Sequence, residues 1–135
     1  MNNAKIILDT NIVSYLGKGG SEAKVYLPHV QGKLSSIAFI TVGEMYYGAE
    51  KANWGDKKRK ELEITLRNFV VIPYDHEIAR CYGRLVAERQ RNGEPISAND
   101  AWIAACAVRH NVPLITHNAK DFRGISNLNV ITEVL

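Results

Sequence analysis

Four acids in this 135-residue chain stand where side chains could do chemistry. Asp9 ends the apolar run of "KIILDTN", and Glu44 follows "SIAFIT" in "VGEM". Asp100 opens the apolar stretch "ANDAWIAACAVRHN", and Asp121 lies in "THNAKDF" after "VPLIT". Carboxylates gathered at close range raise one another's pKa, and burial adds to the effect. A divalent cation relieves that conflict. Oxygen donors without Cys or His point to Mg²⁺ or Mn²⁺. Such an ion lowers the pKa of a bound water, polarises a phosphoryl oxygen and orients an attack. Metal-assisted phosphodiester hydrolysis is the chemistry this set would serve.

Each acid also has a purely structural reading. Asp9 can cap a helix beginning near Ile12. Thr41 and Glu44 have capping-box spacing. Asp100 in a first helical turn suits the helix dipole. Asp121 can be ordinary loop surface. These readings compete only in part, since an acid near a helix N-terminus can stabilise the helix and bind a cation.

The elements that would position the acids alternate between strand and helix. Strands are expected at 5–8, 36–41, 69–73 and 112–116, with a fifth at 129–132. "NIVSYLGKGG" predicts one or two helical turns stopped by Gly17, Gly19 and Gly20. Further helices are expected over 21–31 with Ser21 as N-cap, from Val42 through the "EKAN" segment, and over 56–68. Asp75 would cap a long helix running to about Asn92, with Ile78, Tyr82, Leu85 and Val86 on one stripe. The apolar helix holding Asp100 would stop at Asn111. Strands separated by helices of this length predict an α/β fold, a three-layer α/β/α sandwich with a central, mostly parallel sheet. In such sheets ligands bind beyond the carboxyl ends of the strands, which is where the four acids fall.

The length predicts one domain over residues 1–135 with a core that needs no staples. The net charge of +3 permits an anionic partner without requiring one. Candidate phosphate contacts are "DKKRK" at 56–60 and Arg80, Arg84, Arg89 and Arg91. Their alternative is solvated helix surface with local partners such as Arg84 and Glu88. His117, beside the fourth acid's motif, could also meet a phosphate. Cys81 and Cys106 read as reduced core thiols. With no transmembrane-length run and no signal-like N-terminus, a cytoplasmic location and no membrane partner are expected.

The segments "ILDTNIVSYL", "ITVGEMYYGAEKA", "PISANDAWIAACAVRHNVPLIT" and "THNAKDF", in this order, resemble a PIN-domain ribonuclease. More narrowly, they resemble the VapC toxins of bacterial type II toxin–antitoxin (VapBC) pairs. The resemblance covers nearly all of the chain. It implies an Mg²⁺- or Mn²⁺-dependent endoribonuclease that cleaves RNA, tRNA or rRNA by class, leaving a 5′-phosphate. Asp9 and Asp100 match the family's principal metal ligands, and Glu44 matches an acid close by. The family's fourth acid is less regular. Some members carry Asp two residues after the fourth-strand Thr, where this chain has Asn118, so Asp121 ranks above it as the acid. Thr10, Asn11, Thr116 and Asn118 would then support the carboxylates and waters. The resemblance further implies a VapB-type antitoxin partner, a groove for its tail near Tyr46, Tyr47 and Trp54, and a homodimer.

Two other readings compete. A phosphatase using Asp9 as nucleophile wants a second Asp two positions on, where this chain has Asn11. A catalytically silent PIN-like module that binds RNA or protein would not need all three principal acids.

Overall fold

The structure, a computed structural model, describes residues 4–134. Its elements in chain order are β1 (Lys5–Leu8), α1 (Thr10–Lys18), α2 (Ser21–Val30), β2 (Leu34–Ala38), α3 (Phe39–Lys51) and α4 (Asp56–Leu66). They continue with β3 (Val70–Ile72), α5 (His76–Arg91), α6 (Ala98–His110), β4 (Leu114–Ile115) and β5 (Val130–Ile131). A 3₁₀ turn, Ala119–Phe122, separates the last two strands. The five strands form one sheet in the order β3-β2-β1-β4-β5, and every pair is parallel. Among the described residues no helix is long and apolar enough to cross a membrane.

The period-2 alternation of the strands divides the core in two. Ile7, Ala38 and Leu114 face one side, against Ile78 and Leu85 of α5 and Ile103, Ala104 and Ala107 of α6. Ile6, Leu8, Ile37 and Ile115 face the other, against Ile12 and Val13 of α1, Tyr26 of α2 and Leu62 and Leu66 of α4. Helices therefore cover both faces of the sheet, which is the expected three-layer sandwich. The central strand β1 is buried on both faces, so it reads as an unbroken apolar run. The small residues Ala101, Ala104, Ala105 and Ala107 are all fully buried and let α6 lie close to its neighbours.

Several boundaries differ from those expected. β2 occupies Leu34–Ala38 rather than 36–41, and α3 begins at Phe39. Phe39, Ile40 and Thr41 have strand-like propensities, but helix entry at this point buries Thr41 completely. Thr41 is thus inside α3 and is not its cap, so the capping box fails. α1 runs through Gly17 and ends where Gly19 takes φ +74. α2 is preceded by Gly20, not capped by Ser21, which is its first helical residue. The other signals hold. The Asp75 carboxylate accepts from the Ile78 N–H at 2.8 Å, and Asn111 closes α6 in the left-handed conformation (φ 53, ψ 50). Cys81 and Cys106 are free and buried, and burial pushes the Cys106 thiol up to about 12.

Candidate active site

The carboxyl ends of β1 and β4 are neighbours in the sheet, and each is followed by a polar residue with a side chain turned to the other. Asp9 follows β1 and is only 5% exposed. Its backbone N–H donates to the Ile115 carbonyl at 2.9 Å, continuing the sheet ladder one residue past the strand. Its Oδ2 accepts a hydrogen bond of 2.7 Å from the Thr116 hydroxyl. Its Oδ1 accepts from the Thr10 N–H at 2.8 Å. Thr116 is itself fully buried, and its Oγ1 accepts from the Asn118 N–H at 3.1 Å. The ordinary helix cap accepts from the second or third helical N–H. Asp9 bonds the first, so its carboxylate is placed less as a cap than as a fixed group at the sheet edge.

Thr10 turns the other way. Its hydroxyl donates to Glu44 Oε1 at 2.7 Å and lies 3.0 Å from the Thr41 hydroxyl. Glu44 and Thr41 share one face of α3, three residues apart. The early start of α3 is what delivers both to Thr10. Asp100 sits in the first turn of α6, where its N–H donates to the Ser97 hydroxyl at 3.2 Å. Asp121 is exposed in the 3₁₀ turn after β4.

The four carboxylates share one electrostatic field. Burial is the main cause that raises Asp9, and its hydrogen bonds from Thr116 and Thr10 work against it. The charges of Glu44 and Asp121 raise it further. Asp100 is pushed up to about 6, by burial first and then by Asp9, with smaller contributions from Asp121 and Glu44. The carboxyl edge of the sheet thus brings acids from four separate parts of the chain within reach of one another's charge. Two clefts open beside it. One, of about 510 Å³, is lined by Asp100, Asp121, Ser97, Lys120, Arg89 and Arg123 among others. The other, of about 620 Å³, is lined by Thr10, Glu44, Asn99, Tyr47 and Phe39 among others. Among the described residues no three of His, Cys, Asp and Glu converge tightly enough to hold a metal ion together as they stand.

The remaining candidates scatter. Asn11 is half-buried, and its side chain makes no hydrogen bond among the described residues. Arg84 and Arg91 are exposed on α5 and line neither cleft. The expected Arg84–Glu88 pair does not form: Glu88 accepts instead from Ser126 at 3.2 Å. His117 is packed between Tyr15 and Tyr26, and its Nδ1 lies 2.6 Å from the Tyr26 hydroxyl. Arg89 is a correction, being buried and bonded to backbone rather than open to a phosphate. Thr41, Asn99 and Lys120 reach the site without having been expected there. Asn99 is adjacent to Asp100 and Lys120 to Asp121, but nothing in their type or spacing marked them.

The family model described as PIN domain matches residues 6–128, a span that contains all four acids. The chain belongs to the PIN-domain family. Ribonuclease VapC1 of Haemophilus influenzae is 32% identical to this PIN domain over 126 residues, covering 90% of this chain and 92% of its own length. Two solved structures are close in fold. VapBC2 from Rickettsia felis, bound to a DNA fragment from its promoter, gives a TM-score of 0.84 at 27% identity and covers 96% of this chain and 99% of that one. VapBC-1 from nontypeable Haemophilus influenzae gives 0.84 at 31% identity, over 95% of this chain and 97% of that one. This PIN domain thus matches VapC proteins over almost the whole of both chains.

Proposed function

We propose that this PIN domain is a ribonuclease, the toxin of a VapBC-type pair, hydrolysing RNA phosphodiester bonds with the help of Mg²⁺ or Mn²⁺. The observation that carries the reading is Asp9. A carboxylate only 5% exposed, with both oxygens bonded and the charges of Glu44 and Asp121 raising it further, is costly to the fold. Such an arrangement makes sense where the acids serve a cation. The relatives called ribonuclease VapC, and the VapBC complexes among the similar structures, support the choice of substrate and partner.

The donor chemistry fits a hard divalent ion, since every candidate is a carboxylate or hydroxyl oxygen. Mg²⁺ keeps several waters and needs only one or two protein carboxylates, so the lack of a tight three-residue group is no obstacle. Asp9 and Asp100 would hold it, with Glu44 close by. When bound, the ion would offset the mutual repulsion of the acids and make water a better nucleophile toward phosphorus.

The chain's own residues supply position. Thr116 and the Thr10 N–H fix both oxygens of Asp9, so its lone pairs are aimed before substrate arrives. The Thr10 hydroxyl fixes Glu44, which links the first helix to the third. Asp100 and Asp121 border the cleft in which an RNA strand would lie, and Lys120 in the same wall offers a charge of the sign that a phosphate needs. A VapB-type antitoxin and a homodimer complete the proposal.

Sequencing RNA 5′ ends after expression tests it. The wild type should create a discrete set of new 5′-phosphate ends, and Asp9→Asn, folded to the same degree, should create none. Equal cutting by Asp9→Asn would refute the assignment. A folded wild type that cuts nothing would favour the silent binding module.

A further inference from the structure

The buried stripe of α5 runs Ile78, Cys81, Leu85 and then, four residues on, Arg89. Arg89 is only 5% exposed. A guanidinium stays charged at any pH of interest, and an isolated buried charge is costly. Yet among the described residues Arg89 has no carboxylate partner. It spends its donors on main chain. Nε donates to the Glu94 carbonyl at 2.6 Å, and Nη1 donates to the carbonyls of Asp121 at 3.0 Å and Arg123 at 2.9 Å.

Those carbonyls belong to two different segments. Glu94 lies in the loop that leads through Ser97, the N-cap of α6, to Asp100. Asp121 and Arg123 lie in and just after the 3₁₀ turn that follows β4. Arg89 therefore ties together the two segments that carry Asp100 and Asp121. It also lines the same cleft as those acids. A weaker link at the surface joins the same segments, from Arg123 Nε to Glu94 Oε2 at 3.4 Å. An apolar side chain at this point of the stripe would fill the core at lower electrostatic cost. What only a planar fork can do there is bond the carbonyls of two loops at once.

We propose that Arg89 is a positioning residue that sets the span between Asp100 and Asp121 by tying the loop that leads into Asp100 to the main chain at Asp121 and Arg123. The proposal rests on reading those acids as part of a cation-dependent site. Arg89 acts through the loops and not on the RNA.

The test uses the full chain, Mn²⁺ alone as the binding probe, and two variants, Arg89→Met and Arg89→Lys. Mn²⁺ affinity is read from water-proton relaxation at a temperature well below each variant's melting point. Loss of groups that orient metal ligands weakens affinity by roughly 10- to 100-fold. Arg89→Met should fall in that range. Arg89→Lys keeps the charge but cannot fork, and should be weakened as well, to a smaller degree. In RNA cleavage kcat should fall with Mn²⁺ affinity, while KM stays within about twofold. If Arg89→Met does not fold, Arg89→Lys carries the test. Mn²⁺ affinity unchanged in the folded variants would overturn the proposal and leave Arg89 a stability element only. A rise in KM with kcat and Mn²⁺ affinity unchanged would also overturn it, making Arg89 a phosphate contact. A wild type that neither binds Mn²⁺ nor cuts RNA overturns the acid-site reading itself.

Discussion

Asp100→Asn should make the metal-free protein more stable while abolishing RNA cleavage. The carboxyl titrates near 3.8 in an unfolded chain and at about 6 in the fold. Between those values the folded state holds more protons than the unfolded one, so stability falls as pH rises through the window. Above about 6 the full cost is present. At about 1.4 kcal/mol per pH unit, the separation is worth about 3 kcal/mol. Asp100 is only half-buried, and solvent screening reduces the figure. Its charge also favours the start of α6, by about 0.5 kcal/mol, which Asn would forfeit. A net gain of about 1 to 2 kcal/mol remains for Asn at pH 7.5. For a chain of this size that is a rise in Tm of about 4 to 7 °C. The assay is thermal melting in EDTA from pH 3.5 to 8. The difference between variant and wild type should be full at pH 7.5, shrink below pH 6 and vanish near pH 3.5. Saturating Mn²⁺ should then stabilise the wild type far more than the variant, because only the wild type binds it well. An Asn variant no more stable than wild type at pH 7.5 in EDTA would refute the claim that burial and the neighbouring acids make the Asp100 charge costly to the fold. Normal cleavage by that variant would refute its place in the reaction.

Two further substitutions separate support from chemistry. Thr116→Val removes the hydroxyl bonded to Asp9 and to the Asn118 N–H; it should cost about 1 to 3 kcal/mol in denaturant unfolding and weaken Mn²⁺ binding roughly 10-fold or more. An unchanged Mn²⁺ affinity would mean that Asp9 needs no aiming. His117→Ala removes a ring packed on Tyr15 and Tyr26 and should lower Tm by several degrees while leaving the KM for RNA within about twofold. A large rise in KM with an unchanged Tm would instead make His117 a phosphate contact.

Much of the fold was legible because parallel strands buried on both faces leave unbroken apolar runs, and here helix-period segments separate them. Where the reading slipped, tertiary contact overrode local preference. Residues 39–41 look like strand, but entering a helix at Phe39 carries Thr41 and Glu44 to Thr10, a gain that no local propensity registers. By residue type Arg89 groups with Arg80, Arg84 and Arg91. Its spacing four residues after Leu85 puts it on the apolar stripe, and that period, not the charge, decides where it goes. His117 and Tyr26 are 91 residues apart, so their hydrogen bond could not be read from either neighbourhood.

The question of whether Asp9 is a cap or a reagent dissolves in the geometry. Its main-chain carbonyl accepts from the Ile12 N–H at 3.0 Å and the Val13 N–H at 3.3 Å, so the residue does open α1. Its side chain takes no part in those bonds. Oδ1 is tied to the first helical N–H and Oδ2 to a hydroxyl on the neighbouring strand's end. The helix start thus helps in a second way, because the positive end of α1 lowers the cost of holding a buried carboxylate there. Capping and chemistry are assigned to different atoms of one residue. Replacing Asp9 with Asn should therefore leave the main-chain cap and the fold in place, while removing the charge and turning one of the two acceptor oxygens into a donor. That is why Asp9→Asn, rather than a truncation to Ala, isolates the reaction from the structure.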